Sequence, residues 1–288
     1  MPKCPACGSR EAKVIQESPD GRHLVECVRC ASIHRPEEPA EEEVRKEEAL
    51  KSYRRKSRVG VLNWLQRRLV SGGVARGYAR YLEKKGALSG VRQAFELGSE
   101  YGHLLRELAA RGIGARGIEV NDECHAKSVA PPGTMEKKFW HYSTPFPVGN
   151  DLILLPWVLA TFSRPDLILK NAADALSSGG RIFVSQGNPD SSRLRREAAE
   201  KKGGYSWYGS DSYSENRPAG VCQISADGMT ALCDRLGLKI HDRTAVEPHL
   251  KRDNSFILSR WFRYSLLGRP ILTEELDGWE VYYVLLKP

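Results

Sequence analysis

No stretch of this 288-residue chain is long and apolar enough to suggest a membrane span. The most apolar run, Leu152 to Phe162, is interrupted by Pro156 and is about half the roughly 20 residues that a bilayer helix requires. The opening Met1-Pro2-Lys3-Cys4 runs straight into polar, cysteine-rich sequence. Without the apolar core of an export signal, a cytoplasmic location is expected. Internal repeats and low-complexity tracts are lacking, and so is the G-K-[ST] of a phosphate loop, which argues against a nucleoside triphosphatase. Cysteine is scarce and odd in number, at seven residues. That count, without an export signal, argues for reduced thiols and a metal site over a disulfide framework.

What is present fits a soluble globular protein, with 41% hydrophobic and 28% charged residues. The length allows one large α/β domain and a small appendage. The net charge of +8 is unevenly placed. Residues 37–48 hold seven Glu, whereas residues 51–92 hold twelve Lys/Arg against the single acid Glu83. Such a basic block attracts phosphate, RNA or an anionic membrane surface; a pair of helices with solvated basic faces explains it equally.

Three segments follow from the patterning. Residues 1–36 form a compact module with few apolar residues, closed by Pro36 and Pro39. Residues 37–88 read as a helical, charged connector, with Ala49, Leu50, Tyr53, Val59, Leu62, Leu65 and Leu69 at helical spacings. Gly72-Gly73 is expected to interrupt it, with a second short helix ending near Gly86. Residues 89–288 alternate short apolar runs with amphipathic helices, the pattern of a parallel sheet with crossover helices. Strands are expected at Val91–Leu97, Arg116–Val120, Asp151–Leu155, Arg181–Ser185, Leu238–Arg243 and Val281–Leu286, with a third short one within Val129–Gly149. Ser225 is placed to cap a helix that ends at Gly237. Between them lies a polar, aromatic insertion, residues 187–223, whose Tyr205, Trp207, Tyr208 and Tyr213 suit either a cover over a polar acceptor or a surface loop.

The most specific motif is the C-x2-C-x19-C-x2-C of Cys4, Cys7, Cys27 and Cys30. Each pair forms a knuckle whose thiolates face one ion. Four thiolates at about 2.3 Å from Zn²⁺ close a tetrahedral site with no open position, so such a site is structural. A module this small has too little core to fold alone, and metal binding would supply its folding energy. Ala31 stands where glycine usually completes the second knuckle.

A second motif closes the first strand of the large domain: Phe95-Glu96-Leu97-Gly98-Ser99-Glu100-Tyr101-Gly102. Gly98 and Gly102 permit a sharp turn and a close approach to a ligand at a helix N-terminus. By itself a G-x-x-x-G turn is equally an ordinary strand–helix connection. Glu96 adds a carboxylate placed to meet a ligand ammonium. Glu119 ends the next strand seventeen residues past Gly102, where an acid can take both hydroxyls of a ribose.

With these motifs the sequence resembles the class I S-adenosylmethionine-dependent methyltransferases. Phe95–Gly102 is similar to their first motif and Glu119 to their ribose acid. Asp151–Leu159 resembles their fourth strand and the helix after it. Ala172–Ser185, with Gly179-Gly180, is similar to their fifth-strand signature, Ser225–Leu238 to a later helix, and Val281–Leu286 to the closing antiparallel strand. The cysteine module resembles the four-cysteine zinc ribbon of a subgroup that includes enzymes acting on sugars or surface glycans.

The resemblance implies a Rossmann-like methyltransferase fold, a mostly parallel sheet with an antiparallel last strand, behind a small zinc ribbon. It implies S-adenosylmethionine bound by Glu96, Gly98, Gly102, Glu119, Trp140 and Leu155, and a structural Zn²⁺ on Cys4, Cys7, Cys27 and Cys30. A small-molecule or glycan-type acceptor is expected, with His141 as the candidate base. The sequence departs from the family at Glu100, where a middle glycine is usual, and at Ala160-Thr161, where Glu-His is frequent. It also departs after the third strand, where Trp140-His141-Tyr142 replaces an adenine-contacting acid. Two other readings stand beside this one: an RNA methyltransferase using the basic segment 51–92, and a degenerate, non-catalytic scaffold.

Overall fold

The computed structural model describes residues 3–17, 23–36, 61–192, 222–247, 271–273, 278 and 280–288. The helix expected before residue 60, most of the basic block's first half, and residues 193–221 of the insertion lie outside the described residues.

The cysteine module folds as β1 (Ala12–Glu17), β2 (His23–Cys27) and β3 (Ile33–His34). These form an antiparallel sheet, and a fourth strand, β9 (Cys222–Gln223), joins its edge beside β3. That fourth strand comes from far along the chain, after β8. Glu26 is buried in β2 and paired with Lys13 across the sheet at 3.0 Å.

The large domain is an eight-stranded sheet in the order β11-β10-β12-β8-β7-β4-β5-β6. Its strands are β4 (Gln93–Leu97), β5 (Gly114–Glu119), β6 (Met135–Lys137), β7 (Asn150–Pro156), β8 (Leu176–Gly187), β10 (Lys239–Glu247), β11 (Ile271–Thr273) and β12 (Glu280–Leu286). Strands β6-β5-β4-β7-β8 pair in parallel, and β12 runs against both β8 and β10. This is the Rossmann-like methyltransferase fold with its reversed strand next to the fifth. The apolar runs Leu152–Leu155 and Val281–Leu285 are fully buried, as strands covered on both faces must be.

Helices cover those faces: α1 (Val61–Lys84), α2 (His103–Ala109), α3 (Asp122–Ala126), α4 (Pro165–Ala175) and α5 (Ala226–Leu236). One face packs Tyr78, Tyr81 and Leu82 of α1 and Leu104, Leu105 and Leu108 of α2 on Phe183, Tyr282 and Val284. The other packs α4, α5 and the cysteine module on Phe95, Ile153, Val184 and Tyr283. The expected break at Gly72-Gly73 does not occur, because α1 runs unbroken through both. A side chain at Gly72 would come 3.3 Å from the His103 imidazole. Close packing of α1 on α2 thus offsets a helix-propensity cost of about 1 kcal/mol per glycine.

Ser225 and Gly237 bound α5 as expected. The Ser225 hydroxyl accepts from the Gly228 N–H at 2.9 Å, and Gly237 is left-handed. Ser225 does more than cap. Its hydroxyl donates to the Cys30 carbonyl, and its N–H donates to the Ser32 hydroxyl at 3.1 Å. Arg235 of the same helix reaches the Pro5 carbonyl at 2.9 Å. The cysteine module is therefore sewn to α5 and shares its core.

Candidate cofactor crevice and cysteine cluster

The four paired cysteines converge. Their sulfurs all lie within 4.8 Å of one another, with Cys4–Cys30 at 3.8 Å and Cys7–Cys27 at 3.5 Å. The local backbone explains this. In each knuckle the first cysteine's carbonyl accepts the N–H four residues on, Gly8 to Cys4 and Ala31 to Cys27, both at 2.8 Å. That turn requires a left-handed residue, and Ala31 adopts φ 55 where Gly8 has φ 79. The alanine costs about 1 kcal/mol relative to glycine. The Cys4 thiol and the Ser32 hydroxyl hydrogen-bond Cys30 and lower its pKa to about 4, while Cys4 is shifted upward. This all-sulfur donor set in a compact, mostly buried cluster fits a soft or borderline metal ion.

The second site lies at the carboxyl ends of β4 and β5, where open α/β sheets bind their ligands. Gly98 and Gly102 are left-handed, at φ 77 and φ 71. A Cβ at Gly98 would come 2.7 Å from Val158 Cγ2, and one at Gly102 would come 2.6 Å from Ala130 Cβ. Between them Glu100 also takes a left-handed conformation, φ 46. Its side chain is exposed and turned outward, accepting from the Ser71 hydroxyl of α1 at 3.1 Å. The carboxylate at position 100 is thus tied to α1, while its charge still reaches Glu96 and Glu119.

Glu119 is 2% exposed. Its two oxygens accept from the N–H groups of Glu100 and Asn121, each at 2.7 Å. Burial raises its pKa against the pull of those two donors. Each carboxylate oxygen keeps a further lone-pair position for a ligand hydroxyl. Asn121 also caps α3 by accepting from the Cys124 N–H at 2.9 Å, so the acid sits on a fixed loop.

Glu96 is 3% exposed and its Oε2 has no hydrogen-bond partner. Burial pushes its pKa to about 8; the Ser99 hydroxyl opposes this, and the Glu100 and Glu119 charges add to it. Three carboxyls thus surround one turn with no salt bridge to Lys or Arg among the described residues. A cationic group is the complement such a site lacks. An ammonium- and sulfonium-bearing nucleoside fits these residues on both counts.

The other expected residues make no hydrogen bond to this cluster among the described residues. Leu155 is wholly buried in the sheet core. Trp140 packs with Phe95 and Phe146 at 5.8 and 5.0 Å, and its buried indole nitrogen is unpartnered. His141 stacks on Tyr142 at 4.0 Å and its Nδ1 meets the Ser143 hydroxyl at 2.6 Å, a local turn. A hollow of about 480 Å³ lined by Thr230, Cys233, Asp234 and Lys239 lies at the amino end of β10, so it holds none of these groups.

Two residues escaped sequence reasoning. Glu280 is buried at the head of β12 with Oε2 unpartnered, and Trp157 after β7 is left-handed at φ 58. The available signal was a lone acid opening an otherwise apolar strand.

The fold and the crevice together define the class of architecture: the sheet order and turn of methyltransferases that use S-adenosylmethionine. No protein-family model and no curated protein matches this chain. Among solved structures it is similar to the magnesium protoporphyrin IX methyltransferase of Synechocystis PCC 6803 with bound S-adenosylhomocysteine. That match has 12% identity and a TM-score of 0.53, covering 86% of this chain and 100% of the other. It is also similar to an S-adenosylmethionine-dependent methyltransferase of Thermotoga maritima, with 16% identity and a TM-score of 0.50, covering 79% and 96%. At these identities the likeness is one of fold.

Proposed function

We propose that this chain is an S-adenosylmethionine-dependent methyltransferase acting on a small-molecule or glycan-type acceptor. The observation that carries the reading is Glu119, a buried carboxylate fixed by the N–H groups of Glu100 and Asn121 beside the Gly98–Gly102 turn. In this reading Glu119 takes the ribose hydroxyls, Glu96 faces the amino-acid end, and Gly98 and Gly102 let the backbone approach the ligand. Trp140 and Leu155 form packing beneath the adenosine. When bound, the cofactor supplies a sulfonium methyl for in-line displacement. The chain's work is then to align the acceptor and exclude water.

His141, paired locally with Ser143, is the candidate base where the acceptor needs one. The bond of the Glu100 carboxylate to Ser71 of α1 supports an enzyme over a degenerate scaffold, since it anchors that side chain.

The cysteine cluster belongs to the proposal as a structural Zn²⁺ site on Cys4, Cys7, Cys27 and Cys30. Its need for reduced thiolates supports a cytoplasmic setting. The division into residues 1–36, 37–88 and 89–288 is kept, with β9 of the large domain completing the ribbon sheet.

Calorimetric titration with S-adenosylhomocysteine tests the reading. Saturable binding and a raised melting temperature are expected. Absence of both heat and thermal shift would return the scaffold reading.

A further inference from the structure

The face of the sheet under α1 carries a second buried carboxyl that cofactor binding does not use. Glu280 heads β12, directly opposite Gly187 at the end of β8. Side chains two apart on a strand share a face. Glu280 therefore lies on the side of Tyr282, and Glu96 on the side of Ala94, both of which pack under α1. Glu96 lines up across the sheet with Leu154, Phe183 and Val284, so Glu280 lies three strands over and four residues along, about 19 Å away at the usual strand and residue spacings. That separation leaves room for a methyl donor at one end and its acceptor at the other.

Glu280 is only 7% exposed, its Oε2 has no partner, and no salt bridge to it occurs among the described residues. Its surroundings are aromatic. Tyr78 of α1 lies close enough to feel its charge, and Trp157 and Tyr282 both favour its charged form. Trp157 is held there by a left-handed backbone at φ 58 and by its N–H to the Ser185 carbonyl at 2.9 Å. Ser185 in turn donates to the Tyr78 hydroxyl at 3.1 Å. A non-glycine residue in that conformation costs on the order of 1–3 kcal/mol, and such strain gathers at functional sites.

Resting on the methyltransferase reading, we propose that Glu280, flanked by Tyr78 and Trp157, binds a protonated amine of the acceptor and takes its proton. A buried carboxyl with no counter-ion among the described residues, beside aromatic rings, is complementary to an ammonium, whose charge favours its ionised form. The acceptor ammonium gives a proton to the Glu280 carboxylate, leaving a carboxylic acid and a neutral amine. The amine lone pair then forms the N–C bond to the methyl carbon. The C–S bond breaks with its pair kept on sulfur, so the positive charge passes from sulfur to nitrogen. Glu280 afterwards returns its proton to water. Burial lifts the Glu280 pKa to about 8, near enough to an amine for the proton to pass readily. Among the described residues, the titratable groups facing it are Tyr78 from α1 and Tyr282 from its own strand. Ser185 and Gly187 of β8, Val246 of β10 and Trp157 contribute none.

The test uses the full chain saturated with S-adenosylhomocysteine, with benzylammonium and the neutral benzyl alcohol as probes in calorimetry. The wild type is expected to bind benzylammonium about tenfold more tightly than the alcohol, which is about 1.4 kcal/mol. Glu280→Gln is expected to abolish that preference while binding S-adenosylhomocysteine as before. Absence of a preference in the wild type, which needs no variant to fold, overturns the proposal, as does a preference that survives Glu280→Gln. Failure of the wild type to bind S-adenosylhomocysteine removes the reading beneath it. Normal binding of that ligand with no amine preference removes this inference alone.

Discussion

Replacing Glu119 by alanine removes the acceptor of two hydrogen bonds, from Glu100 N–H and Asn121 N–H, both 2.7 Å long. A buried donor left without a partner costs about 1–3 kcal/mol. Against this, the carboxylate is itself disfavoured by burial, as its raised pKa shows, and its loss returns part of the cost. A net destabilisation of about 1–2 kcal/mol follows, which lowers the melting temperature of a chain this size by about 2–8 °C. The effect on ligand is separate. Two ribose hydroxyls bonded to one carboxylate contribute about 1.5–3 kcal/mol, so S-adenosylhomocysteine should bind about 10- to 150-fold more weakly. Glu119→Gln is the control. Its amide oxygen still accepts one N–H, while its NH₂ opposes the other donor, and an intermediate loss is expected. Calorimetry on wild type and both variants reads the affinities directly. Undiminished affinity in Glu119→Ala would refute the placement of the ribose on this acid.

Metal analysis of the purified chain should find about one zinc per molecule, and Cys30→Ser should lower both zinc content and melting temperature. A metal-free chain of unchanged stability would count against the ribbon. Gly98→Ala forces a Cβ to within 2.7 Å of Val158 at φ 77; cofactor affinity should fall at least as far as stability, by about 1–3 kcal/mol. Ser225→Ala removes the cap of α5 and its bond to Cys30, and should cost about 1–2 kcal/mol in denaturant unfolding. Glu96 and Glu280 are held protonated up to about pH 8 against an ordinary 4.5. The folded state thus holds more protons than the unfolded one between those values. Stability should fall as pH rises through that window, by up to about 1.4 kcal/mol per pH unit for each group, and level above it. Glu96→Gln with Glu280→Gln should flatten the melting-temperature profile, and an unaltered slope would show other groups responsible.

Much of this molecule was legible in one dimension because its signals are local. Ser225 and Gly237 bracket α5 by hydrogen bonding and backbone conformation within a few residues. The cysteine spacing implied a cluster because a knuckle closes on its own carbonyl. Helix α1 was misread as broken because glycine propensity is a local statement, whereas its continuity rests on contact with His103 thirty-one residues away. The same limit hid β9. Two residues carry no periodicity, and only the edge of β3 makes Cys222–Gln223 a strand.

The sequence alone determined most of the large domain's strands and helices, the four paired thiols and the acid that ends β5, since periodicity, turn chemistry and short spacings act between near neighbours. Only the tertiary structure decided that the cysteine module shares a core with α5, that Glu100 faces Ser71, and that Glu280 joins Tyr78 and Trp157 beneath α1. Each of those depends on which strands lie side by side and which face of them is covered. Pairing and burial are properties of the packed sheet, not of any single segment.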